Sequence, residues 1–492
     1  VVYPVAGNIG GGGFMVVRWA DGRATAIDFR EKAPAAAHPR MFLDESGRYS
    51  AERHHDSHLA VGVPGTVAGF ALAHARYGRL PWARLVEPAV RLAADGFPVS
   101  PALARSLAGV LPEMRRYPAS VRAFSKDGEP YRAGEVWRQP ELARTLERIR
   151  RAGRDGFYRG ETARLIAEEM RRGGGLITEA DLAAYQAKER APLRGSYRGY
   201  EIVTMPPPSS GGVALLEMLN ILEGYDLRAL GHNTAPYLHL LAEAMRRAYR
   251  DRARHLADPD FAEVPVARLT SKAYAAELRA TIDPARASRS APADVAAASE
   301  SEETTHYSVV DADGTAVAVT YTLEAGYGSK ITVPGAGFLL NNEMGDFNAA
   351  PGLTTETGLI GTEPNLARPG QRMLSSMTPT ILARDGRLVA VVGSPGGRTI
   401  INTVLQVVLN LVDFGMSIEQ AVDARRIHHQ WLPDEIRMEE GVADSAAVRA
   451  LEAMGHRVVV QRGTQGRVHA IALDPATGAR IGAPDRRDPD AG

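Results

Sequence analysis

Glu302-Glu-Thr-Thr-His-Tyr-Ser-Val-Val-Asp311 sets two threonines, a histidine, a tyrosine and a serine at the mouth of an apolar, β-branched run. Val309 and Val310 read as strand, but strand propensity does not explain the hydroxyls crowded at its start. A threonine hydroxyl is a poor nucleophile unless a base lies within hydrogen-bond reach. An N-terminal threonine carries that base itself, an α-amino group that titrates near ~8 and is partly neutral at working pH. Thr304 would gain one if the Glu303–Thr304 bond were cut. The preceding stretch, Asp283 to Glu303, is rich in Ala, Ser, Pro and charge, and reads as a flexible linker that delivers Thr304 exposed.

Downstream of Thr304 the run reaches Asp311-Ala-Asp-Gly314 and then a second β-rich segment, Ala316-Val-Ala-Val-Thr-Tyr-Thr322. Strand, Asp/Gly turn, strand is a hairpin signature, and pairing about that turn brings Thr322 toward Thr304. The same pattern occurs at Phe14 to Gly22, Thr380 to Gly386 and His469 to Gly478 without a fixed period, which argues against a propeller or solenoid. Apolar residues at helical spacing fill Leu85–Ala94, Leu142–Ile149 and Leu238–Leu256. Pro395-Gly-Gly397 opens another apolar helix, Arg398 to Val412, and such a turn can aim backbone N–H groups into an oxyanion hole. Strands at both ends with helices between and after them predict sheets covered by helices.

Composition narrows the function classes. The 492 residues carry 58 Lys plus Arg and 58 Asp plus Glu, so no overall field favours nucleic acid or an anionic membrane. The arginines of Met245-Arg-Arg-Ala-Tyr-Arg-Asp-Arg252 read as a solvated helix face. There is no cysteine, which excludes disulfides, thiolate nucleophiles and cysteine metal sites. No apolar run is long enough for a membrane span. Val1 opens the chain with neither an initiator methionine nor a signal-peptide pattern, so a longer translated product is expected. Gly10 to Gly13 lacks the Lys-Ser/Thr of a phosphate loop. The pairs His54-His55 and His428-His429 lack the i, i+4 spacing of a helical zinc site and read as surface or capping residues without carboxylate partners.

Thr304-Thr-His-Tyr-Ser308 resembles the start of the small subunit of γ-glutamyltranspeptidases, members of the N-terminal-nucleophile hydrolases. Gly7 to Phe14, Asp28 to Pro34, Pro64 to Gly69 and Pro206 to Gly212 resemble the large subunit. Leu339 to Phe347, Leu374 to Met377, Gly393 to Gly397 and His428 to Trp431 continue the likeness in order, over essentially the whole chain.

The resemblance implies an α+β fold, a four-layer αββα sandwich. Residues 1–303 would form the large-subunit portion and 304–492 the small subunit, one structural unit and a heterodimer of its own fragments. It implies that Thr304 is the nucleophile exposed by self-cleavage, that Thr322 supports it, and that Gly396 and Gly397 form the oxyanion hole. Arg30, Ser375 and Ser376 would hold a donor's α-carboxylate, and Glu343 and Asp346 its α-ammonium. The donor is glutathione or another γ-glutamyl amide, and the acceptor water, an amino acid or a peptide. No metal or organic cofactor is implied, and the location implied is periplasmic or extracellular.

Two positions depart from the family pattern. Glu324 stands where the family usually has Asn, adding a carboxylate to the donor site. Thr357 replaces an aromatic in the segment 351–365 that resembles the family's lid. A glutaryl acylase of the same fold and an uncleaved, noncatalytic γ-glutamyl-binding protein are the alternatives. Arg30, Glu343 and Asp346 argue against the acylase, and the full set of catalytic residues against the binding protein.

Overall fold

A computed structural model of the chain describes residues 1–7, 9–292, 304–353, 355–359 and 361–488. All four expected hairpins form. The first pairs β1 (Gly12–Arg18) with β2 (Ala24–Asp28). Two short elements, β3 (Lys188–Arg190) and β4 (Leu193–Tyr197), lead into β5 (Tyr200–Thr204). The second hairpin is β6 (Thr305–Val310) with β7 (Ala316–Thr322), and the third β8 (Thr380–Arg384) with β9 (Arg387–Val392). The last joins β10 (His469–Leu473) to β11 (Arg480–Pro484).

The turns do what their residues dictate. Asp385 and Gly386 both take positive φ, 51° and 77°, as a two-residue hairpin loop requires. At the β6–β7 turn the Asp311 carboxylate accepts the Thr315 N–H at 2.8 Å, and Gly314 takes φ 88°.

One antiparallel sheet runs β3-β2-β1-β7-β6, and the other β11-β10-β9-β8-β5-β4. Residues on both sides of position 303 contribute strands to both sheets. Phe14, Val16, Ala26 and Ala318 of the first sheet share a core with Ile202, Ile381 and Val391 of the second. Helices Gly211–Leu222 (α1), Ala235–His255 (α2) and Thr399–Val412 (α3) belong to that same core. On the other side, Phe29 and Val319 pack with Phe70 and Leu72 of helix Thr66–Tyr77. Helix, sheet, sheet, helix is the expected αββα order.

Three sequence expectations fail here. The stretch before Thr304 is anchored along its described part: Ser290 N–H donates to Asp434 at 2.8 Å and Ser288 N–H to Glu243 at 3.0 Å. The remainder of that expected linker, 293–303, lies outside the described residues. The arginine-rich helix is no solvated face, because Arg246, Arg247 and Arg252 are all buried. Arg247 reaches Glu243 at 2.6 Å, and that pairing with Arg246 and Arg247 holds Glu243 at about 2 against the opposing effect of burial. His54, His428 and His429 are buried rather than on the surface, and carboxylates do face two of the paired histidines: Glu324 at His55 and Asp434 at His429.

Candidate active site

The hairpin register fixes the two threonines. Thr305 pairs with Tyr321, so one residue further along the ladder Thr304 stands opposite Thr322. Both are buried and both line one small cavity, with about 20 Å³ of space for the centre of a water molecule. Thr322 Oγ1 accepts the Glu324 N–H at 2.9 Å, leaving the hydroxyl proton to point elsewhere. The glycine run before β1 is a packing device: a Cβ on Gly11 would lie 1.9 Å from the Thr322 carbonyl oxygen. Only a bare backbone lets β1 approach β7 this closely.

Arg30 follows β2 and forms the other end of the cavity, with no solvent exposure. Its Nε donates to the Met373 carbonyl and one terminal nitrogen to the Leu374 carbonyl, each at 3.2 Å. The guanidinium forks between the carboxylates of Glu343 and Asp346, the two ends of a 3₁₀ turn, and lies 3.7 Å from Glu31. Burial works against the charge on Arg30, but Glu343, Asp346 and Glu31 outweigh it and raise its pKa above the ordinary arginine value. The carboxylates bear the opposite strain. Burial raises Glu343 well above its ordinary range despite Arg30, with Glu31 and Glu324 adding to the rise. Glu31 is pushed up to about 8, again by burial first. One guanidinium serves an excess of acid.

Ser375 and Ser376 line the same cavity. The Ser375 carbonyl accepts the Ser210 N–H at 2.7 Å, tying it to the start of α1. Arg252 of α2 donates to Ser376 Oγ at 3.1 Å and to Ser210 Oγ at 2.8 Å, so the misjudged arginine helix carries a support of the site.

Gly396 and Gly397 turn the chain from β9 into α3 with φ of 128° and 52°, both unfavourable for a side chain. The helix caps the turn, since Thr399 N–H and Oγ1 both bond the Gly396 carbonyl, at 3.0 and 2.7 Å. Gly397 lines the cavity with Thr304, while Gly396 borders a neighbouring cavity with His428 and Arg437. A helix N-terminus at that point favours developing negative charge.

Nine of the ten expected residues therefore meet at one cavity, from positions as distant as Arg30 and Gly397. Gly396 stands on the far side of the same turn. Sequence reasoning missed Glu31, Arg252 and His55; only Glu31, adjacent to Arg30, left a signal. Among the described residues of 351–365 none lines the cavity, although Asn365 ties the segment to it by donating to the Asp346 carbonyl at 2.8 Å.

A four-layer αββα sandwich with a buried threonine at a strand start, beside a glycine turn that opens a helix, is the architecture of the N-terminal-nucleophile hydrolases. Residues 1–492 match the family described as Gamma-glutamyltranspeptidase, and the chain belongs to that family of enzymes. It is similar to the "Glutathione hydrolase proenzyme" of Escherichia coli K12, 48% identical over 497 residues, covering all of this chain and 84% of that one. The "Acylase ACY 1 proenzyme" of Pseudomonas sp. SE83 is 39% identical, covering 96% of this chain and 84% of its own. Among solved structures, cephalosporin acylase from Bacillus halodurans superposes with a TM-score of 0.86 at 28% identity, covering 100% and 88%.

Proposed function

We propose that the protein is a γ-glutamyltransferase and glutathione hydrolase that matures by cutting itself at Glu303–Thr304. What carries the reading is the meeting of Thr304, Thr322 and Gly397 with Arg30, Glu343 and Asp346 around a single cavity. Maturation and turnover use the same hydroxyl. Thr304 Oγ attacks the Glu303 carbonyl carbon, the peptide nitrogen leaves as the Thr304 α-amine with the hydroxyl proton, and water hydrolyses the ester. Glu303 itself lies outside the described residues.

In turnover the α-amine takes the Thr304 proton as Oγ attacks the γ-carbonyl of the donor. The tetrahedral oxyanion faces the Gly396–Gly397 N–H groups. It collapses to a γ-glutamyl-threonyl ester, with the proton passing to the leaving amine. Water, an amino acid or a peptide then accepts the acyl group.

The Arg30 ion pair suits a zwitterionic donor. The donor's α-carboxylate takes the guanidinium, with Ser375 and Ser376 beside it, and its α-ammonium takes Glu343 and Asp346 in exchange. Charge is conserved in that exchange, so opening the pocket strands no buried ion. A glutaryl donor lacks the ammonium and would leave the released carboxylates without a partner. The likeness to acylases keeps that donor as the second reading, with the nucleophile unchanged. Thr304 and Arg30 sit on different proposed fragments, so the working enzyme is a heterodimer of its own two pieces. Among the described residues no helix is long and apolar enough to cross a membrane. The family resemblance favours a periplasmic or extracellular location.

Mass spectrometry of the purified protein, with a γ-glutamyl anilide assay on the same sample, tests the proposal. Wild type should give two fragments and release the aniline; Thr304→Ala should stay whole and inactive. An intact wild-type chain with full turnover would refute the mechanism.

A further inference from the structure

Glu324 is the least settled residue of the pocket. It holds φ at 80°, a backbone region that Asn enters far more readily than Glu. Its side chain lines the cavity, is only 4% exposed, and neither carboxylate oxygen has a hydrogen-bond partner among the described residues. A buried carboxylate in that state needs a counter-charge.

His55 supplies one, with Nδ1 at 3.4 Å from Glu324 Oε1. It comes from a single π-turn, Glu52–Asp56, a turn type frequent at functional sites. Asn342 clamps the two segments, donating to the His55 carbonyl at 3.1 Å and accepting the Ala325 N–H at 3.0 Å. Gly345 makes the space, since a Cβ there would lie 2.4 Å from His55 Nδ1 and 3.0 Å from Glu324 Oε1. The His55 side chain keeps 23% of its surface exposed, so protons have a route to it.

We propose that His55 is a positioning residue for the donor pocket: protonated, it holds Glu324 back from the donor's α-ammonium, and neutral, it releases Glu324 to that ammonium. The inference rests on the γ-glutamyl reading above. The groups facing His55 are Glu324 from the loop after β7, Asp346 from the 3₁₀ turn, and Asp56 and His54 from its own turn, with Glu343 behind Glu324. Burial disfavours the imidazolium, but Glu324, then Asp346 and Asp56, raise His55 above the ordinary 6.5. His54, its ring tilted against that of His55 with centroids 4.3 Å apart, is kept neutral by burial.

Imidazolium and ammonium are like charges competing for one carboxylate, so each weakens the binding of the other by the same factor. Donor KM should therefore fall as pH rises through the His55 titration, on the order of fivefold or more at typical coupling between sites.

The experiment measures KM and kcat for a γ-glutamyl anilide and a glutaryl anilide from about pH 5.5 to 8.5, across the histidine range. His55→Gln should hold KM at the low, high-pH value throughout, and His55→Lys at the high, low-pH value. The difference from wild type should appear in KM and not in kcat. It should be absent with the glutaryl anilide, which has no ammonium. In Glu324→Asn the contested carboxylate is gone, and the step should disappear. Titration of the donor amine or of the Thr304 amine is common to all variants and cancels. A His55→Gln profile superimposable on wild type, or a KM step that persists in Glu324→Asn, would overturn the proposal. Failure of the donor reading looks different, since wild type would then turn over both anilides equally or neither.

Discussion

Asp346→Asn isolates the end of the donor that the pocket reads. Arg30→Ala is a blunter tool, because it strands Glu31, Glu343 and Asp346 in the interior, and breaking one side of a buried pair costs about 3–5 kcal/mol of stability. Asp346→Asn keeps the shape, and its backbone stays anchored through Asn365 at 2.8 Å. Arg30 retains Glu343. What disappears is one charged acceptor for an ammonium, and hydrogen bonds to charged groups are worth roughly 1.5–3 kcal/mol. At about 1.4 kcal/mol per decade, kcat/KM for a γ-glutamyl anilide should fall on the order of 10–10². The glutaryl anilide should be slower than the γ-glutamyl one in wild type by a similar factor and should lose little more in the variant, so the gap narrows. Fragments on a denaturing gel separate lost turnover from lost maturation. Equal losses on both anilides, or none on either, would refute the assignment of Asp346 to the ammonium.

Replacing Gly397 by Val removes both the positive φ and the open approach of the N–H, so kcat should drop about 10²–10³, as loss of an oxyanion donor typically does, with KM much less affected. An unchanged kcat in a folded, cleaved variant would rule out the oxyanion role. Glu31→Gln tests the acid excess through stability. Burial raises the carboxyl to about 8 from an ordinary 4.5, so its contribution is fully present below pH 4.5 and is lost as pH climbs through 8. The variant should match the wild-type Tm near pH 4.5 and exceed it near pH 8, and parallel Tm curves would contradict the shift.

Much of this site was legible because its chemistry is written in short local runs. Thr304 to Ser308, Leu374 to Met377 and Gly393 to Gly397 each carry their residues on one turn or strand end, and each hairpin announces itself by its Asp/Gly turn. What stayed hidden depends on partners that only the tertiary fold supplies. A spacing test for histidines looks along one helix, and so it could not see Glu324 across from His55, or Asp434 beside His429. The arginines of α2 looked like a solvated face because their counter-charges and hydroxyl acceptors include distant residues such as Asp434, Ser376 and Thr281. Gly10 to Gly13 resembled a failed phosphate loop, yet its glycines answer to steric contact with Leu339 and Thr322.

The position of the proposed cut decides how maturation can create a base without dismantling the site. Severing Glu303–Thr304 opens the chain at the start of a hairpin strand and leaves both sheets whole. β1 of the first fragment remains laddered to β7 of the second from Gly12↔Thr322 to Arg18↔Ala316. β5 likewise remains paired with β8 from Glu201↔Ala383 to Thr204↔Thr380. Thr305 keeps Tyr321 as its partner, so the new terminus is held on its C-terminal side by an intact ladder. The α-amine therefore appears on a residue whose backbone already faces Thr322, and the hydroxyl need not travel to find its base. With the proposed cut, Arg30 falls to the first fragment, while Glu343, Asp346, Ser375 and the proposed oxyanion turn fall to the second. Neither fragment alone would then contain the proposed donor pocket, so the sheets that hold the fragments together would also complete the site.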